Sequence, residues 1–187
     1  MLEQIKRMEH EGYDFEVAEG NFELLVLQEL HPEKDVIRLI GYDCTTKAYG
    51  GNRSEDLASI IVDDAGELRS ATGTGQGPFD ALHNALIKCL VDRHPRVSAV
   101  KLRDYKVRVL DGRKGTAAKV RVLIEWTDGE RSWTTVGISH DIIQASAHAM
   151  LDAIRLELLR APANQRVSRF PWSRMPDAHR EAYGWGV

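Results

Sequence analysis

The sequence is short of nearly every feature that marks a chemistry. Its 187 residues hold two cysteines, Cys44 and Cys89, far apart and outside any Cys-x-x-Cys pattern. That argues against a disulfide framework or a cysteine zinc site and for reduced thiols in a cytosol. No apolar run approaches the roughly 20 residues needed to span a bilayer. No basic and apolar leader opens the chain, so neither a membrane nor export is expected and a cytoplasmic setting is. The formal charge of -3 supplies no electrostatic case for nucleic acid or an anionic membrane. Seven histidines include no His-x-His or His-x-x-x-His pair for a metal. No serine stands in a nucleophile-elbow pattern.

What is present is periodicity. LEQIKRMEHEG (2–12) reads as a short helix ending at Gly12, and NFELLVLQEL (21–30) as a second helix with Asn21 as N-cap. From Asp35 the pattern becomes strand-like: DVIRLIGYDCTTKAYG, then LASIIV, a D-A-G-E turn and LRSATGTG. A helix follows from about Pro78 to Asp92, with Leu82, Ala85, Leu86, Cys89 and Leu90 at helical spacing. The order then repeats. VKLRDYKVRVLD is a strand, RKGT a turn, and AAKVRVLIEW alternates cleanly, with Ala118, Val120, Val122, Ile124 and Trp126 on one side. TDGE matches the earlier turn, RSWTTVGIS is a strand and HDIIQASAHAMLDAIRLELL a helix.

Two strand-strand-strand-helix units predict an α+β domain with pseudo-twofold symmetry, its antiparallel sheets covered by helices on one face. Gly75 aligns with Gly137 in this reading, and Arg69-Ser70 with Arg131-Ser132. The expected organisation is a helical connector at 1–34, two βββα units at 35–96 and 97–160, and an extension at 161–187 that wraps the domain or contacts a partner.

The stretch GTGQGPFDALHNAL (73–86) carries the clearest binding signal. It lacks the Gly-Lys-Ser/Thr of a phosphate loop, and its neighbourhood is hairpins rather than the parallel unit of a dinucleotide fold. Gly77 as cap and Pro78 as first helical residue leave free N–H groups that suit one carboxylate. Asp80, one turn in, is either a dipole partner or a partner for an ammonium group. Together these describe an α-amino-acid site; the alternative is a tight strand-to-helix turn and nothing more. At the second helix start, Ser139 is the expected N-cap and His140 a polar surface residue. Asp104 beside Tyr105 offers an acid and a phenol, but a free-standing enzyme on Asp104, Tyr105 and His140 would lack both metal ligands and a nucleophile.

The segments EGYDFEVAEGNFELLV (11–26), GTGQGPFDALHNAL, DYKVRVLD (104–111), GTAAKVRVLIE (115–125) and VGISHDIIQAS (136–146) together resemble the C-terminal regulatory domain of the 2-isopropylmalate synthase and citramalate synthase family, closer to the citramalate branch. The resemblance covers roughly residues 5 to 160. It implies a dimerising pair of βββα units that binds a branched-chain amino acid near the dimer interface. Leucine is the effector in isopropylmalate synthases and isoleucine in many citramalate synthases. The effector inhibits a distant catalytic barrel that condenses acetyl-CoA with a 2-oxo acid, using a divalent metal. Nothing here matches that barrel, so the chain alone is not expected to catalyse or to hold a cofactor. The barrel would be in the same or a partner chain.

Carried over residue by residue, the resemblance places the effector pocket on Gly75, Gln76, Gly77, Pro78, Phe79 and Asp80. It adds Leu102, Asp104, Tyr105 and Val109 on the following strand, Val120 or Val122 on the next, and His140 or Ile142 at the second helix start. A structural dimerisation module without an effector is the alternative it leaves.

Overall fold

A computed structural model describes residues 2–32, 37–50, 53–110 and 112–160. The expected extension at 161–187 and the boundary between residues 34 and 35 lie outside the described residues. Helix α1 runs Leu2–Glu11 and α2 Glu19–Leu30. Strands β1 (Arg38–Tyr49), β2 (Arg53–Asp64) and β3 (Glu67–Gly75) form one antiparallel sheet, followed by α3 (Pro78–Leu90). Strands β4 (Lys101–Val109), β5 (Val120–Thr127) and β6 (Ser132–Ser139) form the second, followed by α4 (Ile142–Arg160). These are the two βββα units the repeat predicts.

The alternation works as read. Val122, Ile124 and Trp126 are fully buried under α4, while Ala58, Ile60 and Val62 do the same service under α3. The units also touch each other. The His83 ring of α3 stacks 5.8 Å from Trp126 of β5, and Arg96 pairs with buried Glu157 of α4 at 2.9 Å. Helix α4 is therefore buried almost all round beyond its first turn, with Ala145, Ala147, Ala149, Met150, Ala153 and Ile154 enclosed along with Ser146 and Glu157. A helix enclosed on every side needs no amphipathic stripe.

Four local readings are corrected. First, Gly73, not Gly75, is the equivalent of Gly137. Each lies where its unit's helix presses on the last strand: a Cβ on Gly73 would meet Ala81 and Ala85, and one on Gly137 would meet Ala145 and Ala149. Arg69 then aligns with Trp133 rather than Arg131. Second, Asn21 caps nothing. The cap position is Ala18, and Asn21 is 1% exposed inside the fold, where its amide is drawn to the β6 edge. Third, the two hairpin turns differ. Ala65 and Gly66, both at positive φ, make a two-residue turn between Asp64 and Glu67, whereas Thr127 and Ser132 are joined by a four-residue loop that Asp128 organises through the N–H groups of Glu130 and Arg131. Fourth, Asp141 rather than Ser139 caps α4, by accepting the Gln144 N–H at 2.8 Å.

Both sheets carry the same irregularity. One extra residue interrupts β1 between Leu39 and Gly41, and one interrupts β4 between Leu102 and Asp104. Each bulge turns the strand by one residue, so Leu102 joins Tyr105 on the helix-facing side. The equivalent pair in the first unit is Leu39 and Tyr42.

Candidate functional site

The glycine-rich loop leaves β3 at Gly75 and enters α3 at Pro78. A Cβ on Gly75 would run into Asp80, so the loop closes tightly on the first turn of its helix. Asp80 holds it there: its carboxylate accepts the Gln76 N–H at 2.9 Å and lies 3.4 Å from the Asn84 amide. Gly77 stands at the cap with no side-chain cap bond, its backbone extended and open space around it. The two helix starts differ in this respect. Helix α4 is capped by Asp141, and its Gln144 side chain turns back to Ser139. Helix α3 has no side-chain cap bond among the described residues; Pro78 carries no N–H and Ala81 donates to the Gly77 carbonyl at 3.0 Å, which leaves the Phe79 and Asp80 N–H groups as the donors of its first turn.

Phe79 projects from this loop onto the other unit, its ring 5.4 Å from that of Tyr105 on β4. The Tyr105 hydroxyl lies 2.6 Å from Ser146 Oγ, which in turn donates to the Ile142 carbonyl at 2.6 Å. The start of α3, the middle of β4 and the first turns of α4 thus meet through Phe79, Tyr105 and Ser146. Tyr42 and Cys44 on β1 approach the same place. The Cys44 thiol points at the Pro78 carbonyl from 3.8 Å. Burial raises the Tyr42 phenol and the Cys44 thiol above their ordinary values, and the nearby Asp141 carboxylate adds to both shifts.

The remaining candidates distribute unevenly. Val109, Val120 and Ser139 pair across the far end of the second sheet, with His140 beside them bonded through Nδ1 to the Ala117 carbonyl at 3.0 Å. Leu102 lies at the other end of β4. Its partner Trp126 and Val109's partner Val120 are six strand steps apart on β5, about 20 Å at ~3.3 Å per residue, so one small ligand cannot touch both Leu102 and Val109 on one protomer. Val122 is fully buried beneath α4 and is core. Asp104 faces away from Tyr105, as consecutive strand residues must. It pairs with Lys106 on the outer face, in a groove of about 320 Å³ with Asp14, Arg108, Arg121 and Glu125. Its carboxyl is held below the usual range by the Lys106 ammonium and its neighbour's N–H.

Residues 16–157 match the family described as the LeuA allosteric (dimerisation) domain. The chain belongs to that family. It is 43% identical over 159 residues to an (R)-citramalate synthase of Geobacter sulfurreducens, a match covering 84% of this chain and 30% of the relative. An (R)-citramalate synthase of Synechocystis is 39% identical over 162 residues, again 84% of this chain and 30% of the relative. A 2-isopropylmalate synthase of Nitratidesulfovibrio vulgaris is more distant, at 30% over 139 residues, covering 74% of this chain and 25% of the relative. The citramalate-like branch of the resemblance therefore stands. The chain spans about 30% of the length of the citramalate synthases it matches.

Within the LeuA dimerisation domain described here, three residues near the helix starts had escaped the sequence reading. Tyr42 was findable, because the repeat sets it opposite Tyr105. Ser146 was not, since a serine inside a helix ordinarily bonds only its own backbone. Cys44 carries no pattern that marks it. Among the described residues no helix is long and apolar enough to cross a membrane, and no three metal-ligating side chains cluster.

Proposed function

We propose that this domain senses a branched-chain amino acid, isoleucine first and leucine next. In this reading it relays feedback inhibition to a citramalate synthase or 2-isopropylmalate synthase barrel, in the same or a partner chain, that condenses acetyl-CoA with a 2-oxo acid. The domain works as a cytoplasmic homodimer and does no catalysis of its own.

The observation that carries this reading is the meeting of the uncapped start of α3 with the aromatic wall of Phe79 and Tyr105, which Ser146 ties to the first turns of α4. Helix N–H donors suit a carboxylate and the wall suits a branched side chain, at about 0.8 kcal/mol per methylene buried. Asp80 is exposed, and a carboxylate has about four acceptor sites, so two internal bonds leave room for an ammonium group. The dimer has its own support. On the edge strand β4, Leu102, Val107 and Val109 are 42%, 39% and 58% exposed. An apolar edge strand left uncovered is a surface for another chain. The competing reading, a dimerisation module without an effector, draws on the fact that Asp80 already braces its own loop.

Thermal melts with added amino acids test the proposal. A ligand at about 100 times its Kd adds roughly 2.7 kcal/mol of stability, or about 5–11 °C for a chain of this size. Isoleucine is expected to raise Tm saturably, leucine less, and alanine not at all. An unchanged Tm at millimolar isoleucine and leucine would leave the dimerisation module as the better account.

A further inference from the structure

The connector is bonded to the second βββα unit. Glu19 accepts the Thr134 N–H at 2.9 Å, Arg121 donates to the Gly12 carbonyl at 3.0 Å, and Glu23 is gripped by Arg160 of α4, with Nε to Oε1 at 2.7 Å. At the centre of this contact is Asn21. Its Oδ1 accepts the Val136 N–H at 2.6 Å, and its Nδ2 donates to the Val136 carbonyl at 3.4 Å and to Asp152 Oδ2 at 2.8 Å. Strand β6 is an edge strand, so the asparagine amide supplies a donor and an acceptor where a neighbouring strand would otherwise supply them. Asp152 is shared: its other oxygen takes Arg155 Nη1 at 3.1 Å, and Arg155 Nε donates to the Ile37 carbonyl at 2.9 Å, at the entry to β1.

We propose that Asn21 is a positioning residue that transmits the placement of α4 to the connector, making α4 the rod between the effector site and whatever domain the connector joins. The inference rests on the proposed effector site. One end of α4 is tied to that site through Ser146 and Tyr105, and Asp152 lies six residues further along, about 9 Å at 1.5 Å per residue. A helix packed on all sides moves as a body, because its neighbours allow discrete positions rather than continuous deformation. Any shift at Ser146 therefore reaches Asp152, and through Asn21 it reaches α2. Asn21 is buried and caps no helix; its amide joins the β6 edge to Asp152 of α4, and a leucine would fill the space without those three bonds.

Hydrogen exchange of the α2 amides, with and without saturating isoleucine, tests the relay alongside calorimetry of isoleucine binding. In the parent chain isoleucine should change α2 exchange by about fivefold or more, the lower end of typical coupling. In Asn21→Leu that change should shrink to less than half, the Glu23–Arg160 tie carrying the remainder, while isoleucine affinity stays nearly that of the parent. Isoleucine binding with unchanged α2 exchange in the parent overturns the relay and leaves the effector site standing. An equal exchange response in parent and Asn21→Leu removes Asn21 from it. Flat calorimetry with both isoleucine and leucine brings down the effector site and the relay together. If circular dichroism shows Asn21→Leu unfolded, Asn21→Ser takes its place: a diminished α2 response supports the relay, and a parental one removes Asn21 from it.

Discussion

Replacing Gly137 by alanine tests how closely α4 is held to its sheet. A methyl group there would lie 2.8 Å from the Ala145 carbonyl carbon and 2.9 Å from the Ala149 nitrogen, with the Ala145 oxygen nearer still. All three are helix backbone, so no side-chain rotation relieves them. Ordinary contact begins at 3.4 Å, so the carbonyl carbon alone asks α4 to back away by roughly 0.6 Å, and the nearer oxygen asks for more than about 1 Å. A gap of that size forfeits a quarter to a half of each dispersion contact it opens. Overpacking usually costs about 1–3 kcal/mol, and a clash with rigid backbone belongs at the top of that range. For a chain of this size about 3 kcal/mol lowers Tm by roughly 6–12 °C. Gly77→Ala is the control. No atom lies within 4 Å of its added Cβ and its φ is 164°, so it should cost under about 1 kcal/mol as a change of cap residue. Calorimetric melts of both variants decide the matter. If Gly137→Ala melts within about 2 °C of the parent, the close approach of α4 to β6 is not what sets this packing.

Two further outcomes follow from named groups. Asp80→Asn keeps an oxygen for the Gln76 N–H but loses the charge, so it should melt like the parent while weakening isoleucine about tenfold, or ~1.4 kcal/mol; parental affinity would confine Asp80 to bracing the loop. Asp152 has its carboxyl raised by burial, against the pull of Arg155, His148 and Asn21. The folded chain therefore binds this proton more tightly than the unfolded chain, so this group's contribution to stability falls as pH rises from the ordinary aspartate value near ~3.9 through the raised folded value. Asp152→Asn lacks that titration. The parent should gain stability relative to the variant as pH is lowered through the same window, and parallel stability profiles would refute it. Tyr13, pushed up to about 12 by burial and then by the charges of Asp152 and Glu11, stays a neutral phenol throughout that window.

The sheets were legible because half-covered strands alternate, and residues 118–126 do so with Leu123 as the one apolar residue on the outer face. The helix pattern of α3 was legible for the same reason: its outer face is wet and its inner face is not. What escaped the sequence depended on partners distant along the chain. Asn21 looks like a cap because asparagine caps helices, yet Val136, 115 residues away, claims its amide. Gly73 and Gly75 look alike until α3 is laid against β3. Leu102 joins the face of Tyr105 only because a bulge intervenes, and no residue type announces it. Among the candidate site residues, the Phe79 and Tyr105 rings meet, Asp104 turns to the opposite face and Val122 is core.

Titrating isoleucine into the purified chain by calorimetry tests the central claim most directly. The account predicts saturable heat, weaker binding of leucine, and a further loss of affinity in Asp80→Asn. Absence of heat with either amino acid at millimolar concentration, from a chain shown to be folded, would contradict it.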